Sequence, residues 1–178
     1  MPYIPMTDYE SAGEEVRRRY DDEIAKHGRI TNMKRTLLHV PKAFDVYMEW
    51  YALFDLCREF VEERALMLFS YAISEGNRCL VCGTFFRKIL IDSGDDPDNP
   101  QLNEEESLLV DLGLSISEDP HNIDPGLYDA INARYNDAQR VLLLSFAGMM
   151  AATNLFNTIA QVDLDEALYE YQRTKPRE

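Results

Sequence analysis

Apolar positions along this chain recur at helical spacing almost from end to end, the pattern of helices that bury one face. No alternating apolar–polar run extends beyond a few residues, so strands are not expected. Gly and Pro number eight each and gather at a few breaks that divide the chain into segments. The pattern predicts a charged first helix over residues 9–26, through Val16 and Ile24. Pro41 can open a second, because its fixed φ suits the first helical position; this helix runs through Phe44, Val46, Trp50, Tyr51 and Leu56. A third covers Phe60 to Ser74, with Glu62, Glu63 and Arg64 in its first turn. Gly76-Asn77 then breaks the chain, and Asn77 is placed to cap a fourth helix. Asp92 to Pro100 is an acidic run of turn formers, hence an exposed loop. Further helices are predicted from Asn103 to near Pro120, from Asp124-Pro125 through Tyr135, and from Asp137 to about Ala160, followed by a polar tail. The fold class expected is all-α, and no long repeat points to a solenoid.

Composition narrows the setting. At 178 residues, 46% of them hydrophobic, the chain suits one domain with a sizeable core. Its formal net charge is −14, from 32 acidic against 18 basic residues, which repels nucleic-acid phosphates and anionic lipid alike. Met1-Pro2-Tyr3-Ile4-Pro5 has neither a basic nor an apolar leader, so no secretory signal is expected. Three cysteines make an odd count for a disulfide framework, so a reducing cytoplasm is expected. Val141 to Ala160 is as long as a bilayer span. Ser145, Thr153, Asn154, Asn157 and Thr158 interrupt it, however, and no basic cluster flanks it, so a core or subunit-interface helix is expected and no membrane.

Cys79 and Cys82 carry the chemistry. Three residues apart on a helix, their side chains share a face about 5–6 Å apart, near disulfide reach. So short a loop removes little chain entropy, so such a bond suits redox cycling better than stapling. With Asn77 as the cap, Cys79 falls in the first turn beside Arg78, where thiolate is favoured and exposure expected. Cys82, a turn deeper among Val81, Phe85 and Phe86, is expected to stay protonated and to resolve. Packing is the competing reading, since cysteine is a common buried residue. Zinc would need two more ligands, but Cys57 is alone and His27, His39 and His121 are dispersed, so no metal or other cofactor is expected. Tyr47, Trp50, Tyr51 and Phe54 read as core, and His27 and His121 as surface.

The stretch from Arg64 to Cys82, a helix ending near Ser74, then Gly76-Asn77, then Cys-x-x-Cys, resembles the core of the carboxymuconolactone decarboxylase and alkylhydroperoxidase D (AhpD) superfamily. Thr36 to Phe44 is similar to the approach to its preceding helix. Phe146 to Asn157 with Val162 to Glu166 is similar to the closing segment of its peroxidase-related branch. The resemblance spans residues 30–167 of a single domain, 1–178, with an N-terminal helical segment over 1–29 and a polar tail over 168–178. It implies an AhpD-like helical bundle and a homo-oligomer, whether dimer, trimer or hexamer. It also implies a thiol peroxidase, in which the deeper cysteine attacks peroxide, the other resolves the sulfenic acid to a disulfide, and a dithiol protein reduces it.

The resemblance also implies a proton relay, and here the chain departs from it. The family's glutamate twelve residues before the first cysteine is Met67, the histidine four after the second is Phe86, and the histidine often found between the cysteines is Val81. General-base help of this kind contributes about 10²–10⁴-fold. Glu63 and Tyr71, one turn either side of Met67, and His39 on the approach to the neighbouring helix are the candidate substitutes. The function expected is thiol-disulfide oxidoreductase or peroxidase. The alternatives are a non-catalytic oligomeric binding protein and a cofactor-free decarboxylase-like enzyme.

Overall fold

The computed structural model describes residues 2–173. Among these residues the chain forms α1 (Glu14–His27), α2 (Asn32–Leu37), α3 (Pro41–Trp50), α4 (Ala52–Cys57), α5 (Glu63–Gly76), α6 (Leu80–Asp92), α7 (Glu104–Glu118), α8 (Pro125–Arg134) and α9 (Asp137–Ile159), with no strand. The fold is all-α, as the apolar spacing predicts. The predicted polar tail begins inside a 3-10 helix, Glu166–Tyr171, and its residues 174–178 lie outside the described residues.

Two helices differ from expectation. The predicted helix from Pro41 to Leu56 is two helices, α3 and α4, meeting at Tyr51, which ends one and precedes the other. Before it lies α2, six residues too short to show a period, begun by Thr31 whose hydroxyl accepts from the Lys34 N–H. The other ends follow local chemistry. Gly28, at φ 72°, closes α1 in the left-handed conformation, its N–H on the Ile24 carbonyl at 2.8 Å. Asn103 with Glu106 and Asn136 with Gln139 form reciprocal capping boxes that start α7 and α9.

α5 is the central helix, packed chiefly on α7 and also against α6 and α9. Two glycines make the α5–α7 approach possible. A Cβ on Gly113 would stand 3.0 Å from the Phe69 carbonyl oxygen, and one on Gly76 would overlap Ser117 Oγ at 1.9 Å. Around this axis Leu66, Phe69, Ile73, Leu109, Leu143 and Phe146 form the main apolar core, which also takes in Cys57.

A second apolar cluster adjoins it and holds the cysteine pair. Tyr20 of α1, Met33 and Leu37 of α2 and Phe44 of α3 pack there with Cys79, Val81, Cys82 and Leu168. The N-terminal segment is tied down over this cluster: Tyr3 and Ile4 N–H groups donate to the Ala160 carbonyl at 3.0 and 3.2 Å, and Thr7 N–H to that of Arg35 at 3.2 Å. Ile4, Val16, Tyr20 and Ile30 are thus part of the packing around the thiols.

Candidate functional site

The turn that delivers the thiols is built differently from the predicted one. Asn77 ends α5, and Arg78 follows in the left-handed region at φ 54°. Cys79, not Asn77, is the N-cap of α6: its backbone is extended and its Sγ accepts from the Cys82 N–H at 3.5 Å. The Cys79 N–H in turn donates to the Ser74 carbonyl at 3.0 Å. Neither sulfur is exposed. Cys79 is 4% and Cys82 6% accessible, so the expected exposure of Cys79 does not occur. Both are free thiols.

The pair is electrostatically divided. Hydrogen bonding from Cys82, side chain and backbone, outweighs burial and lowers the Cys79 thiol to about 7. The same contact, seen from Cys82, combines with burial to push that thiol well above its ordinary value. The two sulfurs therefore share one proton near neutrality, held by Cys82 while Cys79 carries the charge. One group counteracts the rise at Cys82. Asn157 of α9, itself 3% exposed, donates from Nδ2 to Cys82 Sγ at 3.1 Å. One turn earlier Asn154 is also buried, with Ser74 Oγ 3.3 Å from its Oδ1, which ties α9 to the end of α5.

Cys82 lines a cavity of about 580 Å³; Cys79 does not. Val81, Phe85 and Phe86 of α6, Met149 and Met150 of α9 and Met48 of α3 make its interior apolar. Polar groups from α1, α2 and the α3–α4 junction line it as well. Glu23 of α1, 5% exposed, is paired with Lys34 of α2, whose Nζ lies 5.8 Å from the Tyr51 ring centroid. Tyr51, at the junction of α3 and α4, lines this cavity while presenting 45% of its surface. Burial first, then the neighbouring Cys82 and Glu23 charges, pushes its hydroxyl up to about 12, so Tyr51 holds its proton throughout the working range.

The three candidate relay residues are not brought to the thiols. Glu63 lies at the far end of α5, exposed and 3.3 Å from Arg58. Tyr71 is buried with Leu68 and Leu90 on another side of α5. His39 is exposed, its Nε2 2.7 Å from the Pro5 carbonyl. None of them lines the cavity. Met67 packs with Tyr71, whereas Val81 and Phe86 are cavity wall. Cys57 is fully buried in the main core and burial raises its thiol to about 11, which leaves it inert packing. His27 is exposed, as expected, and lines the cavity; Tyr51, expected as core, is half-exposed on the cavity wall. Among the described residues no three His, Cys, Asp or Glu side chains are grouped to hold a metal ion.

No known family's sequence pattern matches the chain, and no curated protein matches it. Solved structures do. A peroxidase-related protein from Silicibacter sp. TM1040 superposes with a TM-score of 0.76 at 14% identity, over 93% of this chain and 92% of that one. A Cys-to-Ala variant of the debrominase Bmp8, in complex with 2,3,4-tribromopyrrole, gives 0.75 at 13% identity over 94% of both chains. A peroxidase-related protein from Ralstonia eutropha JMP134, described as an alkylhydroperoxidase AhpD core, gives 0.68 at 15% identity over 94% of both. The chain has the AhpD-like all-α fold of these proteins.

Proposed function

We propose that this protein is a dithiol reductant of an organic hydroperoxide, with Cys82 attacking and Cys79 resolving. One observation carries the assignment: Cys82 lines an apolar cavity that Cys79 does not line, while the Cys79 sulfur, the better thiolate, accepts from the Cys82 N–H. The Cys79 thiolate takes the Cys82 proton and so supplies the base that Met67, Val81 and Phe86 cannot. The Cys82 sulfur attacks the terminal oxygen of R–O–OH, the O–O bond breaks, and the leaving alkoxide takes a proton from Tyr51. Cys82 is then a sulfenic acid. The Cys79 sulfur attacks it, returning its proton to Tyr51, and hydroxide leaves as the disulfide closes. A dithiol protein restores the pair by exchange, consistent with a reducing cytoplasm. Counting free thiols after peroxide treatment tests this reading.

Reductive dehalogenation is the second reading, supported by the likeness in fold to a debrominase. The same pair would give its two electrons to a carbon–halogen bond, with halide leaving and a proton taking its place. Bromide release from 2,3,4-tribromopyrrole would select it over peroxide reduction.

Self-association belongs to the same proposal. α9 is long and apolar enough to span a membrane by length and composition, but 39% of its apolar window is buried within the fold. Its outer face exposes Val141, Leu144, Leu155 and Ile159, with Gly148 between them, at the three-and-four spacing of a helix–helix seam. A second copy presenting the same stripe would cover it.

A further inference from the structure

The cavity's lining has two characters, which together point to a substrate class. This inference rests on the reductant reading above and narrows it. The interior beside Cys82 is thioether and aromatic: Met48, Phe85, Phe86, Met149 and Met150 offer a flexible, polarisable surface suited to an apolar body. Its 580 Å³ falls within the range, roughly 300–1,000 Å³, of pockets that enclose small organic ligands. Cations line the cavity too: the exposed Lys26 and His27 from the end of α1 and Arg29 just beyond it, and the largely buried Lys34 from α2, with Glu23 and Asp165. Lys34 is committed to Glu23, and His27 Nε2 lies 3.9 Å from the same carboxylate. Lys26 and Arg29 have no ion-pair partner within 4.0 Å among the described residues, and both are exposed.

That local balance runs against the whole molecule. A chain of net charge −14 repels anions at long range, yet it places two exposed cations on the wall of its apolar chamber, Lys26 and Arg29, with only Asp165 acting on Arg29 from beyond ion-pair distance. We infer that the cavity takes an amphipathic organic anion, its apolar body against the methionines and phenylalanines and its carboxylate or comparable acidic group at Lys26 and Arg29. The end opposite the charge would then lie beside Cys82, so the reducible group belongs on the apolar part of the molecule.

Isothermal titration calorimetry with three eight-carbon probes tests this: octanoate, 1-octanol and octylammonium. They are titrated into the full chain and into Cys82→Ser, so binding is read without any redox step and a failed peroxide assay cannot be confused with a failed binding assay. Octanoate is expected to bind at least tenfold tighter than either other probe, in both proteins. In K26E/R29E, two exposed positions, that preference should fall to less than threefold while octanol binding is retained. Met150→Trp should weaken octanoate and octanol alike by tenfold or more. Octanol or octylammonium binding as tightly as octanoate, undetectable octanoate binding at millimolar concentration, or an unchanged preference in K26E/R29E would each overturn the proposal.

Discussion

Asn157 donates to the Cys82 sulfur at 3.1 Å from the buried face of α9, across 75 residues of sequence. Among the groups acting on Cys82 it is the one that favours thiolate, against the Cys79 hydrogen bond, burial and the Cys79 charge, which all oppose it. A hydrogen bond to a charged group contributes about 1.5–3 kcal/mol. Replacing Asn157 by the similarly shaped Leu should therefore slow peroxide-driven thiol loss by about tenfold or more. Stopped-flow measurement of the second-order rate checks this, and an unchanged rate would remove Asn157 from the mechanism.

The lowered Cys79 thiol predicts a titration. Because its value in the folded protein is about 7, the thiolate is absent below that pH and present above it. The ultraviolet absorbance of thiolate should rise in one step centred near pH 7 and lose that step in Cys79→Ser. In Cys82→Ala the step should move upward, toward the ordinary thiol range, since the largest cause of the lowering is the hydrogen bond from Cys82.

Tyr51 offers the leaving oxygen a proton. Tyr51→Phe keeps the ring and the cavity wall but removes the donor, so turnover should fall by about tenfold or more while the Cys79 absorbance step stays in place. A variant that turned over normally would show that solvent protonates the product.

The outer stripe of α9 predicts the state of association. Leu144→Glu with Leu155→Glu places charges on a face that contributes nothing to the core, both residues being more than half exposed. Sedimentation velocity should show the wild type as an oligomer and the double variant as a monomer with unchanged helical content. A wild type sedimenting as a monomer at micromolar concentration would refute the stripe as an interface.

The helical order and the thiol pair were legible because both are local: apolar spacing marks one face of each helix, and Cys-x-x-Cys needs only three residues. The cap of α6 was not. Arg78 occupies a left-handed conformation that Gly or Asn usually fills, so the chain signals Asn77 while the turn actually places Cys79 at the helix start. The cavity was not legible either. Among its polar members, Glu23, Lys34 and Tyr51 come from α1, α2 and a helix junction, and only long-range packing brings them near Cys82. Searching along α5 and beside Pro41 for a replacement proton carrier led to Glu63, Tyr71 and His39, which point elsewhere.

The central claim is that Cys82 attacks and Cys79 resolves, and free-thiol counting under excess organic hydroperoxide tests it most directly. Wild type should fall from three free thiols to one, the survivor being Cys57, and recover all three with dithiol. Cys79→Ser should lose Cys82 alone, as a sulfenic acid trapped by dimedone. Cys82→Ser should keep both of its thiols. A wild type that retains all three thiols, or a Cys82→Ser variant oxidised as fast as wild type, would contradict the account.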